Sequence, residues 1–84
     1  MAVLTVYSRR DCHLCDELIE GLRELQARFR FDIAVSDVDA DPALVRRYGD
    51  DVPVLAHDGR ELCRHQLEYG KVVDYLADCL AKSA

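Results

Sequence analysis

The stretch Tyr7-Ser8-Arg9-Arg10-Asp11-Cys12-His13-Leu14-Cys15 joins two kinds of periodicity. On its N-terminal side, Val3 to Tyr7 is a short apolar run rich in β-branched and aromatic residues, which reads as a buried strand running into a polar loop. On its C-terminal side, Leu14, Leu18, Leu22, Leu25 and Phe29 recur at three- and four-residue steps, so a helix from about His13 to Arg30 has one apolar face. Asp16, Glu17 and Glu20 fall in its first turns and Arg28 and Arg30 in its last, complementing the helix dipole at both ends. Two cysteines therefore sit where a strand hands over to a helix.

That placement carries the chemistry. A thiolate at a helix N-terminus meets unpaired backbone N–H groups and the positive end of the dipole. Such surroundings lower a cysteine pKa from about 8.5 into the range of roughly 3.5–7.5. Cys12, at or before the first turn, is expected to be the exposed nucleophile. Cys15, one turn in and more shielded, is expected to be the resolving thiol that attacks a mixed disulfide. Arg9-Arg10 read first as a solvated surface pair. The alternative is that they favour the thiolate or attract an anionic thiol substrate, with Asp11 and Asp16 working the other way, so no net shift follows from the sequence. His13, next to Cys12, reads as an exposed imidazole, with an influence on the nucleophile's reactivity as the alternative.

Downstream, Phe31 to Val38 reads as a second strand, with Ile33 and Val35 as its apolar positions. Asp41-Pro42 starts a short helix, Asp41 as N-cap and Pro42 at the first helical position, and Gly49 stops it after Tyr48. Val52 to Ala56 is a third strand opening with Pro53, where a proline is tolerated. Asp58-Gly59 is a hairpin signal and Glu61 to His65 the returning strand. From Leu67 to Lys82, Val72, Val73, Leu76 and Leu80 mark a closing amphipathic helix. The expected fold is α/β: a four-stranded mixed sheet in order 2-1-3-4, flanked by three helices, the long first and last helices on one face. The first βαβ unit must be a right-handed crossover, and the hairpin makes the third and fourth strands antiparallel.

The 84 residues make one expected domain, 1–84, because no segment is polar or Gly/Ser-rich enough to be a linker. A chain of this size buries only about 60–65% of its unfolded surface, but a hydrophobic content of 50% suffices for one core without disulfide staples. A net charge of −5 argues against a basic face for nucleic acid. The paired arginines Arg46-Arg47 read as a solvated surface. No apolar run is long enough for a membrane helix, and the N-terminus lacks the pattern of a signal peptide, so a cytoplasmic monomer is expected. In such a chain four cysteines do not imply a disulfide framework. Redox catalysis is then one reading of Cys12-x-x-Cys15. A metal or iron–sulfur site completed by Cys63 and His65 is another, weakened because structural zinc sites usually draw their pairs from tight loops. Cys63 and Cys79 read as small core residues, with Cys63 kept as a third redox thiol because its stretch should lie near Pro53.

Together, the stretch from Tyr7 to Cys15, Val52-Pro53-Val54-Leu55 and Asp58-Gly59-Arg60-Glu61-Leu62 resemble the active-site stretch, cis-proline strand and hairpin of the glutaredoxins, and the similarity covers essentially the whole chain. The resemblance implies a thioredoxin-like fold, dithiol redox activity in electron transport and cell redox homeostasis, and catalytic Cys12 and Cys15. It implies a cis Pro53 packed against the disulfide and a Val52 backbone that pairs with the substrate. It places Arg9 where a basic residue meets the glycyl carboxylate of glutathione, and His13 and Leu14 between the cysteines, where Pro-Tyr is common. Cys63-Arg64-His65-Gln66-Leu67 stands where glutaredoxins carry a Gly-Gly and then an acidic pair that contact the γ-glutamyl end of glutathione. The resemblance is therefore to a glutaredoxin-like protein rather than a typical glutaredoxin.

The expected activity is reduction of protein or glutathione mixed disulfides, with no bound cofactor or metal and with glutathione or a reductase as electron donor. The competing class is a non-catalytic thioredoxin-fold binding or accessory module, which the His13-Leu14 insert and the missing glycines favour.

Overall fold

The computed structural model describes residues 2–81. Its central strand β1 (Ala2–Ser8) alternates as its sequence does: Leu4 and Val6 are fully buried on one face, while Tyr7 turns to the other. The helix α1 (His13–Leu25) returns the chain to a parallel strand β2 (Phe31–Asp37), which pairs with β1 from Ala2↔Phe31 to Ser8↔Asp37. A 3-10 turn (Val38–Ala40) and a short helix α2 (Pro42–Tyr48) follow. The hairpin strands β3 (Val54–His57) and β4 (Arg60–Arg64) come next, then α3 (Tyr69–Ala81). β3 lies antiparallel to both β1 and β4, giving one mixed sheet in the order β2-β1-β3-β4 with three α-helices. This is the expected thioredoxin-like α/β architecture.

Two apolar clusters hold the layers together. Leu4, Val6 and Leu55 of the sheet pack with Leu18, Leu22 and Leu25 of α1 and with Val72 and Leu76 of α3, so the two long helices share one face. On the other face Val54 meets Val38 and Tyr48, with Tyr7, Leu44 and Val52 packed around them. The Tyr7 and Tyr48 rings stack at 4.3 Å between centroids, pinning α2 to the sheet.

Several boundaries depart from the sequence reading. α1 ends at Leu25 rather than Arg30 because the chain tightens there. Ala27 N–H donates to the carbonyl of Glu24 and Arg28 N–H to that of Leu25, both three residues back. The Gln26 side chain then caps the turn by donating to the Phe31 carbonyl at 2.9 Å. Arg23, not Arg28 or Arg30, is thus the basic residue of the last helical turn. Val38 leaves the strand to be buried in the second cluster, whereas Val35 on β2 is 56% exposed.

The ladder of β3 begins at Val54, with Pro53 just outside it, and β4 starts at Arg60 opposite His57. A bulge opposite Leu55/Ala56 lets two successive residues, Leu62 and Cys63, both enter the core. Glu68 accepts the N–H of Val72, so α3 begins at Tyr69 rather than Leu67, and Lys82 lies outside the described residues. The other local signals held. Asp41 Oδ1 accepts the Ala43 N–H at 2.9 Å, and Asp58 and Gly59 both have positive φ, as a tight hairpin of this kind requires.

The apolar clusters make a clear test. Leu22→Ala removes a fully buried side chain and should cost about 2–5 kcal/mol. Val35→Ala, at an exposed site, should stay within about 0.5 kcal/mol. Urea unfolding of both variants measures the difference.

Candidate functional site

β1 ends at Ser8, and Asp11 turns the chain through a left-handed conformation (φ 56°) into α1. Cys12 is the N-cap of that helix, with extended backbone. Its sulfur accepts the N–H of Cys15 at 3.1 Å, and its carbonyl accepts the N–H of Asp16 at 3.2 Å. The sulfur thus takes the place that a Ser or Asp oxygen fills at other helix starts, against donors that have no partner inside the helix. Cys12 and Cys15 form a disulfide with their Cα atoms 5.2 Å apart. Cys15 is only 1% exposed while Cys12 is half-buried, so an incoming thiol meets Cys12 first.

Sheet pairing brings a second segment to the same end. Tyr7, which leads into the Cys12 loop, pairs with Val54, the residue after Pro53. The Val52-Pro53 bond is cis, as the resemblance implied, and Pro53 is fully buried. Val52 is half-buried against the cluster around Tyr48. The end of β4 joins them, since the N–H of His65 donates to the Pro53 carbonyl at 2.7 Å.

The flanking side chains divide by what they already hold. His13 projects into solvent with its side chain 92% exposed and its ring 4.0 Å from Glu17. Leu14 beside it is 47% exposed. Arg9 is engaged within the protein. Its Nε and Nη2 donate to both oxygens of Asp39, the closest contact at 2.8 Å, and its Nη1 donates to the Gly49 carbonyl at 3.0 Å. The sequence reading left Arg9 between a solvated surface, support of the thiolate and an anionic substrate. In the structure its guanidinium first ties the Cys12 loop to the 3-10 turn and to the end of α2. Through that hydrogen bonding Arg9 holds the Asp39 carboxyl below the usual aspartate range.

Cys63 and Cys79 are the free cysteines, and the β4 stretch that carries Cys63 does run to Pro53, through the His65 N–H. Cys63 is 3% exposed in the main core, opposite Leu55, and desolvation pushes its thiol pKa up, so it stays protonated near neutral pH. Cys79 is half-buried on α3. The four donors considered for a metal are not gathered: among the described residues no three of the His, Cys, Asp and Glu side chains could hold a metal ion. Among the same residues no helix is long and apolar enough to cross a membrane.

Sequence reasoning missed a polar cluster around Asp51, whose carboxylate meets Arg64 at 3.0 Å and His65 at 3.3 Å, while Arg64 also pairs with Glu61 at 2.6 Å. Its members come from two segments of the chain. No period or motif in the sequence marks it, since His65 and Asp51 stand 14 residues apart.

The Arg9–Asp39 pair gives a pH test. A carboxyl held below its usual range when folded stabilises the fold above the unfolded pKa, and that contribution is lost as pH falls through the lower folded value. Asp39→Asn should therefore lower the urea midpoint at about pH 7 more than at about pH 2. An equal loss at both pH values would remove the ion pair as its cause.

Comparison with known proteins agrees with this geometry. The family model described as Glutaredoxin-like domain (DUF836) matches residues 3–77. The solution structure of protein Ne2328 from Nitrosomonas europaea is 40% identical, covers 89% of this chain and 91% of its own, and superposes with a TM-score of 0.83. Protein XcR50 from X. campestris is 38% identical, covers 89% and 96%, and has a TM-score of 0.72. The uncharacterized protein Rv0508 of Mycobacterium tuberculosis is 37% identical over 59 residues, 64% of this chain, and the match spans 61% of that relative's length. With its thioredoxin-like sheet and a Cys-x-x-Cys pair at the start of α1, the chain belongs to the glutaredoxin-like family.

Proposed function

We propose that this chain is a dithiol oxidoreductase that reduces protein disulfides or glutathione mixed disulfides. One observation carries the reading: Cys12 caps α1 through its sulfur and is bonded to a Cys15 that is almost wholly buried. In the reduced protein the Cys12 thiolate, stabilised by the helix-start N–H groups, attacks one sulfur of a substrate disulfide. A Cys12–substrate bond forms as the substrate S–S bond breaks, and the departing sulfur takes up a proton. Cys15 then loses its proton and attacks the Cys12 sulfur. The mixed disulfide breaks, the second substrate thiol leaves, and the Cys12–Cys15 disulfide remains.

Two electrons have then passed to the substrate. Both came from the thiols, so the exchange needs no resident cofactor or metal. Glutathione or a reductase returns the pair to the dithiol, as befits a protein of the reducing cytoplasm acting as a monomer.

The neighbouring residues take supporting roles. The Val52 backbone pairs with the extended chain beside the substrate cysteine, and Pro53 packs against the disulfide. His13 and Leu14 flank the attacking sulfur with exposed side chains. Beyond Asp39 and Gly49, the Arg9 fork has further N–H groups to offer a substrate carboxylate.

The test is a pair of serine variants assayed with insulin and with a glutathione mixed disulfide. Cys12→Ser should lower turnover by roughly 100-fold or more, because no thiolate is left to open the substrate. Cys15→Ser should accumulate a mixed disulfide on Cys12, visible by mass spectrometry, or retain only monothiol turnover with glutathione. In the reduced protein, iodoacetamide at pH 7 should label Cys12 ahead of Cys15. An active Cys12→Ser variant would refute these assignments.

A further inference from the structure

Asp51 stands immediately before the Val52-Pro53 segment, and the end of β4 takes both of its carboxylate oxygens. Arg64 Nη1 reaches Oδ2 at 3.0 Å and His65 Nε2 reaches Oδ1 at 3.3 Å. Arg64 is held in turn by Glu61, its Nε and Nη2 donating to the two carboxylate oxygens at 2.7 and 2.6 Å. The Asp51 N–H donates to the Tyr48 carbonyl at 2.8 Å, and the Pro53 carbonyl accepts from the His65 N–H at 2.7 Å. Val52 is thus bracketed by a side-chain clamp on one side and a backbone bond on the other. The backbone bond accompanies a left-handed φ of 72° at a residue that is not glycine. A side chain makes that conformation unfavourable, and such outliers persist where the surroundings over-determine them.

The ion pairs are an unconvincing source of fold stability. Asp51, Arg64 and Glu61 have side chains 36%, 44% and 36% exposed, and exposed pairs of this kind contribute little to folding. What they do fix is the Asp51 side chain, one residue before Val52 in the segment that the Tyr7–Val54 pairing brings to the Cys12 end of the sheet.

We infer that Asp51, clamped by Arg64 and His65, is a positioning residue that presets the Val52 backbone to receive an extended peptide, so that the preferred substrate is a peptide disulfide rather than a small one. The inference rests on the thiol–disulfide exchange proposed above. A peptide laid along Val52 gains its affinity from main-chain hydrogen bonds, and these depend on the direction of the receiving strand. A small disulfide without a peptide backbone makes no such bonds and gains nothing from the clamp.

Insulin and 2-hydroxyethyl disulfide separate the two cases. In Asp51→Asn and Arg64→Gln, the ratio of kcat/KM on insulin to kcat/KM on 2-hydroxyethyl disulfide should fall about ten-fold, with the loss in KM for insulin. Arg64→Lys, which keeps the charge facing Asp51, should recover part of the ratio, and Asp50→Asn, a neighbouring charge outside the clamp, should leave it unchanged. Hydrogen exchange at the His65 amide, read by NMR, gives a measurement independent of turnover, and protection there should drop in Asp51→Asn while the α1 amides keep theirs. A ratio within two-fold of wild type in Asp51→Asn overturns the inference even if the enzyme is active. If the wild-type chain reduces neither substrate, the exchange chemistry fails instead, and with it the role assigned to the clamp.

Discussion

The antiparallel pairing of β1 with β3 is the contact on which the site depends. It comprises three residue pairs, Thr5↔Ala56, Val6↔Leu55 and Tyr7↔Val54, joining segments almost fifty residues apart. The pleat makes this short ladder decisive. Val6 and Leu55 face the large cluster under α1 and α3, and Tyr7 and Val54 face the smaller cluster under α2. A slip of one residue would exchange the two faces and expose both clusters, so burial fixes the register. Once it is fixed, the loops that follow Ser8 and precede Val54 must leave the sheet at the same end. Apolar burial thereby brings the segments that carry Cys12 and Pro53 to one end of the sheet.

The helix start then decides what Cys12 is. A capping side chain satisfies N–H groups that the helix cannot. Here the cap is a sulfur, so the same donors that stabilise the helix end are available to a thiolate once the disulfide opens. Cys15 is covered because position 15 lies on the buried side of α1, one turn before Leu18 and two before Leu22. The asymmetry between an accessible first sulfur and a shielded second one follows from helical geometry and needs no further machinery.

Features written in neighbouring residues were legible in the sequence. The apolar period of α1, the Asp41-Pro42 helix start, the Asp58-Gly59 hairpin and the Cys-x-x-Cys pair each express a local rule. The cis bond before Pro53 was not legible locally, because an isolated X–Pro bond is cis only about 5–6% of the time; it came from the resemblance of the whole stretch. The overrun of α1 to Arg30 had a physical source. Phe29 still packs on the main cluster, so the apolar period continues through a turn that is no longer α-helical. The β4 bulge was hidden because adjacent apolar Leu62 and Cys63 obey no alternation. The partners of Arg9 were also hidden, since Asp39 is thirty residues away and ion pairs across a fold leave no period to read. An arginine three residues before the Cys-x-x-Cys pair invited an anionic-substrate reading, while its first partners lie in the 3-10 turn and the α2 terminus.

The site also shows how a half-buried sulfur at a loop can be placed accurately. Cys12 stands at the surface end of α1, where the loops around it are not ordered by sinking into the core. They are ordered at their rims by polar ties, Arg9 to Asp39 and Gly49 on one side and Asp51 to Arg64 and His65 on the other. Left-handed backbone at Asp11 and His65 stands within these tied segments, while the third non-glycine example, Asp58, occupies a hairpin whose turn demands it. Ties of this exposure add little to the global free energy of folding, which the two apolar clusters supply. Stability and positioning are therefore assigned to different interactions. That division leaves the sheet register, set by burial, independent of the polar ties at the loop rims.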